Sequence, residues 1–122
     1  MTTYRLPFPP SVNRIWRAVG GRIVLSAAAR AWLKLAANAM PPGRVPPPLT
    51  GRLRVTITLH APRTLRNKAW DCANREKILC DFLTKQRVWL DDSQIDELYI
   101  IRCEPDPAGA GFAVIHIVEV SK

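Results

Sequence analysis

Residues 52–60, RLRVTITLH, alternate without a break. Leu53, Val55, Ile57 and Leu59 point one way, and Arg52, Arg54, Thr56, Thr58 and His60 point the other. A period of two is that of a half-buried strand with one apolar face. Two later stretches, LYIIRCE and GFAVIHIVEV, read as further strands joined by the turn-rich PDPAGAG. At the start of the chain Tyr4, Leu6 and Phe8 alternate, and the pair Pro9-Pro10 ends that short strand.

Between these strands the signals change. IWRAVGGRIVLS carries a Gly-Gly pair between apolar flanks, which predicts a hairpin. Ser26 is placed to cap a helix on which Ala29, Trp32, Leu33, Ala36, Ala37 and Met40 recur at helical spacing. PPGRVPPPLTG, residues 41–51, holds five prolines and reads as a stiff loop, too short for a domain linker. A second helix is expected from Ala73 to Lys85, with Ile78, Leu79, Phe82 and Leu83 on its buried side. The expected fold is therefore one α+β domain over residues 1–122, a mixed β-sheet packed with two main helices.

The charge is segregated. Residues 1–70 contain twelve Lys and Arg and no Asp or Glu, whereas residues 71–122 contain six basic and ten acidic residues. A +12 half followed by a −4 half gives the net +8 and favours a polyanionic partner, nucleic acid ahead of a membrane surface. No basic amphipathic helix, long apolar run or secretory signal is visible, so a membrane role is not expected. Three cysteines without CxxC spacing, Cys72, Cys80 and Cys103, fit a reduced, cytoplasmic interior.

The acids begin at KAWDCANREKILCDFLTK, residues 68–85. Asp71 would sit at a helix start, where backbone N–H groups favour an anion, and Asn74, Lys77 and Asp81 would form a polar stripe. Taken alone, this is equally a capped amphipathic helix with a Lys77–Asp81 surface pair. The later VWLDDSQ changes the balance. A helix of about 13 residues is about 20 Å long, and the seven residues that follow can span about 23 Å. A chain that turns after Lys85 can thus return Asp91 or Asp92 towards Asp71. Such carboxylates suit Mg²⁺ or Mn²⁺ rather than zinc, and His60 and His116 read as strand residues. An acidic pocket after a basic loop containing Arg63, Arg66 and Lys68 is the chemistry of metal-assisted phosphodiester hydrolysis. There Lys77 would offset charge on the phosphate.

The combination FPPSVNRIWR, GRIVLS and WDCANREKILCDFLTKQRVWLDDSQID resembles the RusA family of Holliday junction resolvases over nearly the whole chain. The resemblance implies a small Mg²⁺- or Mn²⁺-dependent homodimer of bacterial or prophage origin. It would cut four-way DNA junctions by paired symmetric hydrolysis in recombination and repair. The family's D-x-D-N-x-x-K motif places catalytic roles on Asp71 and Lys77, with Asn74 on DNA, and its W-L-D-D places the final catalytic aspartate on Asp92. Asp71 and Asp92 are then the metal ligands, and Asn13, Arg14, Arg17, Arg66 and Lys68 further contacts to DNA. The second aspartate of the motif is Ala73 here, a substituted ligand position, so cleavage is expected to be strongly reduced while DNA binding survives. A deliberate substitution or a natural loss both account for Ala73, the first being preferred. The alternative reading is a non-catalytic branched-DNA-binding protein that keeps the fold. Trp89 and Trp32 read as core, Trp16 as the core residue of the hairpin, and Trp70 as a candidate for base stacking.

Overall fold

The protein is described by a computed structural model covering residues 2–120. Eight main elements follow one another: β1 (Thr2–Pro7), β2 (Trp16–Val19), β3 (Arg22–Leu25), α1 (Ala27–Ala39), β4 (Arg52–His60), α2 (Glu76–Lys85), β5 (Ile95–Arg102) and β6 (Phe112–Val120). Four strands form one sheet in the order β1-β6-β4-β5, and β2 and β3 form a separate two-stranded sheet. β6 runs antiparallel to both β1 and β4, while β5 lies parallel to β4, so the sheet is mixed and α2 lies in the connection between its parallel pair. The expected α+β domain with two main helices is what forms.

Alternation decides which face of the sheet is covered. Leu53, Val55, Ile57 and Leu59 of β4 are buried beside Ala113, Ile115 and Ile117 of β6, with Leu6 of β1 next in line. The helices bring their apolar sides to the same core: Ala29, Trp32 and Ala36 from α1, and Ile78, Leu79, Cys80, Phe82 and Leu83 from α2. The two helices meet where the Trp32 ring stands edge-on to Phe82, centroids 5.5 Å apart. Trp32 satisfies its indole by donating to the Pro7 carbonyl at 2.9 Å, which ties α1 to the end of β1.

The start of α1 is as the sequence predicts. The Ser26 side chain accepts from the Ala29 amide at 3.0 Å, and its hydroxyl donates to the Arg14 carbonyl. Gly20 and Gly21 both take positive φ, 55° and 76°, as a two-residue hairpin turn of this hand requires. Trp16 departs from expectation. It is 57% exposed, because no second layer of the described residues covers this strand and every residue of β2 is exposed.

The second correction concerns α2, which begins at Glu76 and not at Ala73. Asn74 adopts φ 68°, a left-handed conformation that ends any helix, and its carbonyl is taken by the Val12 amide at 2.9 Å. Asp71 therefore lies outside the helix and does not cap it; the capping position is Arg75, without a side-chain cap bond. The polar stripe accordingly starts at Lys77, and Asn74 is not part of it.

Candidate nucleic-acid interface and acidic site

The segment that stops α2 short also builds a cleft. Arg75 folds back, donating from Nε to the Asp71 carbonyl at 2.9 Å and from Nη1 to the Pro9 carbonyl at 2.8 Å. Its guanidinium lies 4.9 Å from the centre of the Phe8 ring and 5.4 Å from that of Trp70. Together with the Val12–Asn74 hydrogen bond, these contacts fasten the acidic loop to the PPSVNR segment. Between them opens a cleft of about 670 Å³ whose lining includes Asn13, Arg14, Asp71, Ala73, Asn74 and Arg75. Burial pulls the Arg75 guanidinium down from its ordinary pKa, Asp71 opposes this, and the neighbouring Arg14 adds to it. Five of the residues singled out from sequence thus share one cleft, and Arg75, which sequence reading passed over, holds it together.

Lys77 and Asp92 do not line this cleft; they occupy the polar side of α2. Lys77 donates to Asp81 at 3.3 Å, the surface pair that the i,i+4 spacing predicts. That bond raises the pKa of the ammonium, with the charge of Asp92 also contributing. Asp92 is brought back to the helix by a tight reversal after Lys85. Arg87 takes φ 64°, its amide donates to Thr84 and the Val88 amide to Leu83, a Schellman-type ending. The return places the Asp92 carboxylate on the Thr84 hydroxyl and 3.1 Å from the indole nitrogen of the fully buried Trp89. The Cys80 thiol, pushed up to about 12 by burial first and then by Asp92, Glu76 and Asp81, stays protonated beneath this group. Asp91 is occupied otherwise: it caps the turn at residues 92–94 in a reciprocal capping box with Gln94.

The other basic residues sit around these two features. Arg17 is exposed on β2, and Arg66 borders a groove with Arg63, Asn67 and Glu104. Lys68 follows in the exposed loop, where its amide donates to Leu65. Trp70 stands edge-on to Phe8 at 5.4 Å, with the Arg102 guanidinium 4.4 Å over its ring. His60 and His116 are strand residues, held by the Glu104 carbonyl and the Thr3 hydroxyl respectively.

Among the described residues no three His, Cys, Asp or Glu side chains converge as a metal-holding group. What the described residues offer is carboxylate oxygen: Asp71 at the cleft, Asp92 in the turn that packs back against α2, and Glu76 at the first position of α2, whose Oε2 is buried without a hydrogen-bond partner among them. This donor chemistry fits a hard divalent cation and not a thiolate-preferring one. At position 73 the methyl group of alanine offers no donor.

A carboxylate and two arginines in one cleft, beside a helix carrying a second carboxylate, form a surface suited to gripping a phosphate backbone. The family described as endodeoxyribonuclease RusA matches residues 7–111, and the chain belongs to this family. It is 33% identical over 104 residues to the crossover junction endodeoxyribonuclease rusA of Enterobacteria phage 82 and to crossover junction endodeoxyribonuclease RusA of Escherichia coli (strain K12). The Shigella sonnei (strain Ss046) protein of that name is 32% identical over the same length. Each match covers 84% of this chain and 84% of the relative. No helix among the described residues is long and apolar enough to cross a membrane.

Proposed function

We propose that this chain is a structure-specific endodeoxyribonuclease of four-way DNA junctions, acting as a homodimer, with its cleavage impaired by Ala73. The observation that carries the reading is the joining of Asp71, Ala73 and Asn74 to Asn13 and Arg14 in one cleft, within a chain of this family. The cationic side chains Arg14 and Arg75 hold the backbone at the cleft. Arg66 and Lys68 extend the grip along the loop before it without reading sequence. Asp71 and Asp92 are the residues that would hold Mg²⁺ or Mn²⁺, with Asn74 orienting the strand nearby. The bound ion would supply a hydroxide nucleophile and offset charge on the phosphate. Lys77, whose ammonium pKa the Asp81 hydrogen bond raises further, adds a positive charge on the Asp92 side. Two symmetric cuts require two such sites related by a two-fold axis, the reason for a homodimer.

Ala73 favours a second reading of the chain as it stands: a protein that binds branched DNA without cutting it. Removing a carboxylate next to phosphate weakens metal binding but also removes a repulsion, so binding in the absence of metal is retained. The experiment is cleavage of a synthetic four-way junction in Mg²⁺ by the chain and by its Ala73→Asp variant. The variant is expected to cut at least about a hundredfold faster, the scale on which losing a directly acting group changes rate. Equal rates would show that position 73 is no ligand. Failure of both proteins to prefer a junction over linear duplex would remove the function altogether.

A further inference from the structure

The Asp92 carboxylate is held by two donors on the same oxygen. Thr84 Oγ1 and Trp89 Nε1 both reach Oδ1, the indole at 3.1 Å, and the indole also lies 2.6 Å from Thr84 Oγ1. Thr84 has one proton to give. The hydroxyl reaches both the Cys80 carbonyl, at 2.9 Å, and Asp92 Oδ1, and of the two the carboxylate is the stronger acceptor. The Thr84 oxygen then accepts from the indole, and the three groups form a closed triangle. Among the described residues, Asp92 Oδ2 takes part in no hydrogen bond or ion pair.

Each corner is anchored by contacts outside the triangle. Thr84 belongs to the last turn of α2. Trp89 is fully buried and its backbone bridges to Leu49. Asp92 opens the turn that Asp91 caps, and Gln94 in that turn donates to the Leu49 and Gly51 carbonyls at 3.0 and 2.9 Å. A buried tryptophan N–H needs an acceptor somewhere, and burial alone does not direct it to a carboxylate. A carboxylate with one oxygen saturated and the other free is fixed in plane and direction.

We propose that Thr84 and Trp89 are positioning residues that clamp Oδ1 of Asp92 and thereby aim Oδ2 at the divalent cation of the cleavage site. The proposal rests on the functional reading above, in which Asp92 holds the metal. Partners of this kind typically change metal affinity by ten- to a hundredfold when removed. With Ala73 leaving the site one donor short, the orientation of Asp92 carries a larger share of what binding remains.

The test is Mn²⁺ affinity, read by electron paramagnetic resonance of free Mn²⁺ and by calorimetry on the full chain. Thr84→Val keeps the shape and removes the donor, Thr84→Ser restores it, and Trp89→Phe removes the indole N–H together with part of the buried ring. Asp92→Asn is the reference. Thr84→Val and Trp89→Phe are each expected to weaken Mn²⁺ binding about tenfold, and Thr84→Ser to stay within about threefold of the parent. In the Ala73→Asp background the same two variants should lower kcat on a junction while leaving KM nearly unchanged. Circular dichroism identifies any variant that fails to fold, and the other donor-deleting variant then decides. Parental Mn²⁺ affinity in both donor-deleting variants, with Asp92→Asn deficient, overturns the clamp alone. Parental affinity in Asp92→Asn, or no Mn²⁺ binding by any form including Ala73→Asp, overturns the metal role of Asp92 and the clamp with it.

Discussion

The Val12 amide donates to the Asn74 carbonyl at 2.9 Å, so a residue from the basic half of the chain determines where α2 can begin. With that carbonyl engaged outside the helix and Asn74 at φ 68°, residues 71–75 form a wall of the cleft and not a first helical turn. Charge segregation along the sequence thus becomes charge juxtaposition in space.

Arg75 is the side chain that keeps the two halves together, through the Pro9 and Asp71 carbonyls and the faces of Phe8 and Trp70. Arg75→Ala is expected to cost about 2–3 kcal/mol in urea unfolding, from two charge-assisted hydrogen bonds and partial aromatic contact. It should also weaken junction binding. Arg75→Lys should recover affinity only in part, since an ammonium cannot span both carbonyls as the planar fork does.

The basic loop before the cleft is expected to act through phosphate contacts. Arg66→Ala and Lys68→Ala should each reduce the slope of log affinity against log salt by about one, equally on junction and linear duplex. Fluorescence anisotropy between low and moderate salt measures this. An unchanged slope for both variants would place the DNA track elsewhere.

Arg87 occupies a left-handed position, φ 64°, that helix endings of this type usually give to glycine. A side chain in that conformation costs roughly 1–2 kcal/mol, of which the greater freedom of unfolded glycine returns part. Arg87→Gly should therefore stabilise the fold by about 1 kcal/mol, roughly 4 °C in melting temperature. A lower melting temperature would mean that the arginine side chain contributes more than its backbone strain costs.

Asp106 organises the connection between β5 and β6. It accepts from the Ala108 amide through Oδ1 and from the Gly111 amide through Oδ2, both at 2.9 Å. The Ala108 amide above all, with Gly111 and the Arg5 charge adding, holds its carboxyl below the ordinary range despite partial burial. A depressed folded pKa stabilises above the unfolded value of about 3.9 and stops doing so as pH falls through the folded value. The melting-temperature gap between the parent and Asp106→Asn should accordingly be constant from neutral pH to about 5 and narrow below about 3.9. A gap that persists unchanged at pH 2–3 would show that the carboxylate charge is not its source.

The sheet was legible in the sequence because alternation in β4 and β6 reports directly which face is buried, and Gly20-Gly21 and Ser26 mark a turn and a cap by local chemistry alone. The start of α2 was not legible, since the partner that captures the Asn74 carbonyl lies in a distant part of the chain. The same holds for Arg75, whose acceptors include Pro9. A length argument allowed Asp91 or Asp92 to return towards Asp71; Asp92 instead turns back onto Thr84 and Trp89 and does not line the cleft of Asp71, a seat that depends on which way a buried indole points. Trp16 misled because an apolar residue in a hairpin is buried only if another layer covers it. Positions 71, 73, 74, 77 and 92 were marked by motif spacing, and the structure divides them between the cleft and the polar face of α2.

β6 lies between β1 and β4 although it is the last strand in the sequence. During synthesis β1 therefore cannot make its pairing with β6 until residues 112–120 have emerged. Pro7, Phe8 and Pro9, which line the cleft, hang from that opening strand. Copies cut short before residue 112 would consequently leave β1, and the cleft wall that hangs from it, without the strand that supports them.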